Sequence, residues 1–238
     1  MDINTQFTEL RLHGMHRSWQ ALTETRQHLD LSLSDGLELL LGAEAEDRAN
    51  RRFQRLAKNE RFRYQASIEE LHMDGSKGMD KALISRLATG EYLRRGESVL
   101  ITGATGCGKS FLASALGNRA CMQGYKVAYF NLQKLLIKIK MARLEGTALK
   151  FFEKLVKTDL LILDDFGLTT FNQQHCLDLM ELTEDRHARK ATIIASQLPV
   201  ASWYDLFAEE TIADAILDRL IRTLHRVKLT GENQRFKL

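Results

Sequence analysis

Apolar positions along the chain follow two rhythms. Through residue 88 they recur at helical spacing, with no strand-like alternation. Phe7, Leu10, Met15 and Trp19 predict one helix and Leu37–Leu56 a second; Ile68 and Leu71 continue the pattern, and Met79–Leu87 predicts a third. Gly75-Ser76-Lys77-Gly78 reads as a loop, and Arg94-Arg95-Gly96-Glu97 as a turn. Beyond it, short apolar runs at Ser98–Thr102, Lys126–Phe130, Leu160–Leu163, Ala191–Ala195 and Arg226–Leu229 predict strands. Between them lie helical patterns at Lys109–Gln123, Leu132–Leu144, Thr147–Lys157, Gln173–Ala188 and Ile212–Leu224. Five strands separated by helices imply a five-stranded parallel sheet covered on both faces, a doubly wound α/β fold. The expected organisation is a helical domain over residues 1–88 and an α/β domain over residues 89–238, without internal repeats.

Composition excludes several classes. With 44% hydrophobic and 27% charged residues among 238, the chain is neither disordered nor collagen-like. Every apolar run is too short or too charged to cross a bilayer, and Met1–Gln6 has no basic and apolar leader, so a cytoplasmic protein is expected. Cys107, Cys121 and Cys176 are far apart and form no C-x-x-C pair, and His13 and His16 have no ligand-spaced partner, so neither disulfides nor a zinc site is expected. A single proline, Pro199, fits long helices.

The net charge of +3 conceals a sharp asymmetry. Asp30, Asp35, Glu38, Glu44, Glu46 and Asp47 stand in a stretch with no basic residue, whereas Arg48–Arg63 carries seven basic residues against Glu60 alone. Arg48, Arg51, Arg52, Arg55 and Lys58 fall three and four apart and stack on one side of a helix, opposite Ala49, Phe53, Leu56 and Ala57. Crowded like charge with few interleaved acids predicts an anionic partner, such as nucleic-acid phosphates. Lys134, Lys138, Lys140 and Arg143 form a second basic helix.

The most specific signal is Gly103-Ala-Thr-Gly-Cys-Gly-Lys109-Ser110, which matches G-x-x-x-x-G-K-[ST] between a strand and a helix. Glycines let backbone N–H groups turn in on phosphates, the helix N-terminus adds its dipole, Lys109 reaches the outer phosphates, and the Ser110 hydroxyl can ligate Mg²⁺. Leu160-Leu-Ile-Leu-Asp164-Asp165 is its companion: a buried strand ending in two carboxylates at the edge where ligands bind. Asp164 would hold Mg²⁺ and Asp165 would polarise the attacking water. Ser196 and Gln197 end the strand Ala191–Ala195, where a polar side chain can orient water; Asn131 ends another strand as a helix cap or a site residue. Arg219, Arg222 and Arg226 cluster late in the chain, and a cation offered to a neighbouring subunit's γ-phosphate implies an oligomer.

These residues resemble those of the AAA+ transposition helper ATPases called IstB, kin of the DnaC-type helicase loaders. The resemblance runs through Leu163-Asp-Asp-Phe-Gly167, Thr192-Ile-Ile-Ala-Ser-Gln-Leu-Pro199, Ala215-Ile-Leu-Asp-Arg-Leu220 and Gly231-Glu232. In the N-terminal half it rests on Leu12-His-Gly-Met15 and Glu44-Ala-Glu-Asp-Arg-Ala-Asn-Arg-Arg52. It implies an AAA+ core without a C-terminal helical lid, leaving Arg235 a weak sensor candidate. Gly103, Ala104, Thr105, Gly106, Cys107, Gly108, Lys109, Ser110 and Phe111 would bind ATP, with Ser110 and Asp164 on Mg²⁺. Lys109, Asp164, Asp165, Gln197 at the sensor 1 position and Arg219 as a trans arginine finger would carry catalysis. Most AAA+ proteins have Glu where Asp165 stands and many have Asn where Gln197 stands, so slow, DNA- or partner-stimulated hydrolysis is implied.

The resemblance further implies an ATP-dependent homo-oligomer on duplex DNA, held without sequence reading by Arg48, Arg51, Arg52, Arg55, Lys58, Lys134 and Lys138. That assembly would bend the duplex and recruit and stimulate a transposase. Three rival readings share the phosphate loop: a replicative helicase loader, a small-metabolite P-loop kinase, and a DNA-binding scaffold that holds ATP as a structural ligand.

Overall fold

The computed structural model describes residues 2–59, 62–71, 79–207, 209–221 and 224–230. Two compact units emerge, Met1–Leu56 and Ala57–Leu238.

The first unit is helical. It comprises α1 (Ile3–Glu9), α2 (His13–Glu24), a 3₁₀ turn at Gln27–Leu29, and α3 (Leu33–Asn59), whose last turn passes into the second unit. The single helix expected from Phe7 to Trp19 is two, because Arg11 takes a left-handed conformation with φ 56° and the Leu12 amide turns back to the Phe7 carbonyl. Ser32 starts α3 by accepting the Asp35 amide and donating to the Asp35 carboxylate.

Few apolar side chains are buried in this unit, Phe7 and Leu40 among them, so polar contacts do much of the joining. At Gly14 a β-carbon would come within 2.3 Å of the Ala43 carbonyl oxygen; only glycine lets α2 approach α3 this closely. The approach brings the Gly14 and Met15 amides, which have no partner inside the first turn of α2, to the buried Glu44 carboxylate at 2.7 and 3.2 Å. Burial pushes the Glu44 carboxyl up, but the Arg48 guanidinium at 2.7 Å and the two amides outweigh it and hold the group below its ordinary value. Buried Asp47 likewise accepts from Arg17 and forms an ion pair with Arg51. Arg48 and Arg51 therefore do not stand as uncompensated cations: acids one turn earlier on the same helix face them.

The second unit holds a five-stranded, wholly parallel sheet in the order β2-β3-β4-β1-β5. Its strands are β1 (Ser98–Gly103), β2 (Val127–Asn131), β3 (Leu160–Phe166), β4 (Ala191–Ser196) and β5 (Leu224–Leu229). Crossovers are made by α6 (Lys109–Met122), α7 (Leu132–Leu144) with α8 (Ala148–Val156), α9 (Gln173–Arg186), and α10 (Glu210–Ile221), the last preceded by a 3₁₀ turn at Val200–Leu206. β1, β3 and β4 lie inside the sheet and read as near-continuous apolar runs, as burial on both faces requires.

Residues 62–71 and 79–88 pack with this sheet, and the compact helical unit closes at Leu56, whereas the sequence pattern places the end of the helical half near 88. Phe62 packs against Gly117 on α6 and meets Tyr129 edge-on at 5.9 Å between ring centroids. The Ala66 carbonyl accepts from Asn118, and the stretch around Ile68 and Leu71 forms turns rather than a helix. Asp80 caps α4 (Lys81–Ala88), which buries Ile84 and Leu87, and a short α5 (Glu91–Arg95) leads into the expected turn, where Gly96 takes φ 64° and the Glu97 amide reaches back to the Tyr92 carbonyl.

Two glycines should respond oppositely to alanine. Gly14→Ala should destabilise the N-terminal unit by about 1–3 kcal/mol through overpacking. Gly42→Ala, in α3 with open space around the new methyl, should be neutral or stabilising by about 0.5–1 kcal/mol; the protease susceptibility of residues 2–56 separates the two. Because Glu44 is held low in the folded chain, its contribution is present at neutral pH and drains away as pH falls through the carboxylate range. Acid titration of native protein against Glu44→Gln should show a neutral-pH loss and a shallower acid limb in the variant.

Candidate nucleotide site

The loop Gly103–Gly108 leaves β1 at its carboxyl end and turns directly into α6. Gly106 and Gly108 have φ of 82° and 99°, which side-chain-bearing residues rarely adopt, and the turn they make aims the first amides of α6 inward. Lys109 is buried, and its Nζ donates to the Gly103 and Ala104 carbonyls at 2.8 and 2.7 Å. Cys107 packs under the loop, where a β-carbon on Gly103 would lie 2.7 Å from its Sγ.

β3 reaches the same edge two strands away, with β4 between. Its pairing with β4 skips a residue between Leu163 and Phe166, a bulge in which Asp165 takes φ 58°. Asp164 is 1% exposed, yet its Oδ1 accepts from Ser110 Oγ at 3.0 Å and from the Asp165 amide at 2.9 Å. Ser110 and Asp164 thus present adjacent hard oxygen donors of the kind Mg²⁺ takes when phosphates and water complete its shell.

Two neighbours of the acidic pair were not legible as site residues. Tyr129 donates its hydroxyl to Asp164 Oδ2; burial, then the carboxylate it faces, raises the phenol's pKa far above its ordinary value. Arg63 Nη1 lies 3.3 Å from Asp164 Oδ2, 3.0 Å from Asp165 Oδ2 and 3.4 Å from Ser110 Oγ. For Tyr129 a signal existed: it stands two residues before Asn131, on one face of a strand that ends beside Asp164. Arg63 had none, being one more cation in a basic run.

Asn131 does two jobs, accepting the Lys134 amide as the cap of α7 and donating to Asp165 Oδ2 at 2.9 Å. Gln197 accepts from Thr105 Oγ1 at 2.7 Å, tying the end of β4 to the phosphate loop. Ser196 does not face the site; it is buried, donates to the Phe166 carbonyl and accepts the Leu198 amide, which braces the β3–β4 edge. A cavity of about 480 Å³ opens here, lined by the loop from Thr105 to Leu112 with Asp165 and Gln197. Opposite them stand Arg63, Tyr64, Glu70, Leu71 and Met79, and Tyr64 and Phe111 face each other at 6.0 Å.

The other expected residues lie elsewhere. Arg219, on α10, does not line this cavity; it donates to the Ala215 carbonyl and lies 3.6 Å from Glu184. Arg222, Arg235, Gly231 and Glu232 lie outside the described residues, while Arg226 is exposed on β5. Arg48, Arg51, Arg52 and Arg55 join Arg11 around an open hollow in the first unit, and Lys58 is exposed on the same helix. Lys134 and Lys138 are exposed on α7, with Lys138 Nζ 5.1 Å from the Phe130 ring centre. Among the described residues no helix is long and apolar enough to cross a membrane.

The profile of the family described as IstB-like ATP binding protein matches residues 5–238. A putative insertion sequence ATP-binding protein of Sinorhizobium fredii is 38% identical over 224 residues, covering 94% of this chain and 91% of its own. Among solved structures, the DnaC helicase loader superposes with a TM-score of 0.55 at 19% identity, covering 63% of this chain and 87% of that one. The replication initiator DnaA bound to AMPPCP and single-stranded DNA gives 0.59 at 21% identity, covering 74% and 54%. With a phosphate loop and paired carboxylates at one edge of a parallel sheet, and a family match over nearly its whole length, the chain belongs to the IstB-like ATP-binding proteins.

Proposed function

We propose that the protein hydrolyses Mg²⁺-ATP slowly and uses the bound nucleotide to assemble copies of itself on duplex DNA, where the assembly bends the duplex and recruits and stimulates a transposase. The observation that carries the nucleotide half is the 3.0 Å contact between Ser110 and Asp164 beneath the phosphate loop. Gly103–Phe111 cradle the phosphates, and Lys109 exchanges its loop carbonyls for phosphate oxygens. Ser110 and Asp164 would hold Mg²⁺, which would supply charge neutralisation on the phosphates. Asp165 and Gln197 position the attacking water, and the shorter reach of Asp165 relative to glutamate sets a low rate.

Arg219 is the cation offered to a neighbouring subunit's γ-phosphate. Its absence from this chain's own cavity supports a role in trans. For DNA, support comes from the exposed cationic face of α3 together with Lys134 and Lys138 on α7. Phosphate contacts of this kind hold a duplex without reading bases. A transposase is favoured as the partner over a replicative helicase because the relatives with high coverage are named for insertion sequences. A pulldown against each protein separates the two.

Light scattering with duplex DNA is the decisive measurement. Native chain with DNA, ATP and Mg²⁺ should form large particles that fail to form with Lys109→Ala; a monomer under every condition would sink the assembly. Arg52 and Arg55, on the exposed face of α3, probe DNA contact without removing the ion pairs of Arg48 and Arg51 with Glu44 and Asp47. The double variant Arg52→Ala, Arg55→Ala should weaken duplex binding similarly across sequences and reduce the slope of log affinity against log salt by about 2.

A further inference from the structure

The cavity contains a cation of its own making. Arg63 is anchored on its N-terminal side by Phe62, wedged against Gly117, and on its C-terminal side by Tyr64, which faces Phe111. Between these anchors a single guanidinium nitrogen reaches three oxygens: Asp165 Oδ2 at 3.0 Å, Asp164 Oδ2 at 3.3 Å and Ser110 Oγ at 3.4 Å. Two of those groups, Ser110 and Asp164, are the hard donors of the magnesium site. The side chain is 38% exposed, while Asp164 is 1% exposed. The acceptor is therefore fixed and desolvated, whereas the donor has open space into which it can move.

We propose that Arg63 is a resident counter-cation that competes with Mg²⁺ for the Ser110–Asp164 pair, so that loading the metal with its nucleotide requires the guanidinium to leave. The inference rests on the nucleotide reading above. The physical basis is exclusion. A divalent ion on Ser110 and Asp164 would share its acceptors with a guanidinium already donating to them, and two cations a few ångströms apart in a partly desolvated pocket repel strongly. A guanidinium keeps its charge in proteins, so Arg63 cannot evade the competition by losing its proton. In this arrangement Arg63 is a positioning residue. It holds Asp164 and Asp165 apart from each other's charge, and it sets the metal concentration at which the site becomes competent.

Metal affinity, rather than turnover, tests this. Mn²⁺ is titrated into full-length protein saturated with ADP and followed by electron paramagnetic resonance, with nucleotide binding measured separately. Arg63→Gln should bind Mn²⁺ about five- to tenfold more tightly than native protein, and Arg63→Lys, which keeps the charge, should stay within about twofold of native, a factor of ten being about 1.4 kcal/mol. Equal or weaker Mn²⁺ binding by Arg63→Gln, with ADP binding and melting temperature retained, would overturn the competition. If native protein binds no ADP, the nucleotide reading fails instead. Should Arg63→Gln not fold, the lysine variant still decides, because a metal affinity raised well beyond twofold despite its charge would contradict a purely cationic competitor.

Discussion

A carboxylate removed from water is the constraint around which the second unit is organised. Asp164 is 1% exposed at the end of a central strand, and a bare charge there would cost several kcal/mol unless donors replace the lost water. Four donors from four parts of the chain do so: the Ser110 hydroxyl, the Asp165 amide, the Tyr129 hydroxyl and the Arg63 guanidinium. Each demands something of the architecture. Ser110 must reach past β4 from the β1 side, which the loop and the first turn of α6 accomplish. Tyr129 must come from the strand beside β3, which the β2–β3 register provides by pairing Asn131 with Asp164. The bulge at Asp164–Asp165 supplies the amide and turns the second carboxylate toward Asn131.

The first unit meets a related problem with less material. It buries too little apolar surface to hold three helices by the hydrophobic effect alone. Close backbone contact at Gly14 and two buried acids take up part of that task, with Glu44 completing the first turn of α2 and Asp47 joining Arg17 to Arg51. This accounts physically for why a Gly-Met step and an acid-rich start to a basic stretch occur together in one sequence. The two motifs are opposite sides of a single contact.

What could be read in advance follows from how local each cause is. The five strands and their intervening helices were legible to within a few residues, because strand and helix periods are written in neighbouring positions. The phosphate loop was legible for the same reason, as eight consecutive residues carry its geometry. Arg63 was not, since what distinguishes it from Arg52 or Arg55 is a carboxylate 101 residues away. Glu44 read as one acid among six until the fold brought amides from thirty residues upstream onto it. Ser196 and Gln197 read as equals, yet strand alternation sends one into the β3 edge and the other to the phosphate loop. The break at Arg11 and the boundary at residue 56 depend on tertiary packing rather than composition.

The arginines show how acceptor depth sorts residues that a sequence presents as alike. Arg48 and Arg51 face carboxylates that are almost wholly buried, so withdrawing either would strand a desolvated charge; such arginines are committed. Arg63 faces one buried and one partly exposed carboxylate, so only another cation can take its place without loss. Arg219 differs. Its ion-pair partner, Glu184, is 62% exposed at 3.6 Å, an arrangement worth little in water. Among the described residues its guanidinium also donates to a carbonyl of its own helix one turn earlier, which solvates it without neutralising it. A residue proposed to meet the γ-phosphate of a neighbouring copy must stay charged, stay near one place and have little to lose on leaving. Of Arg48, Arg51, Arg63 and Arg219, only Arg219 pairs with an exposed rather than a buried carboxylate, and its helix packs on α9, which supplies the rigidity that a precisely placed cation requires.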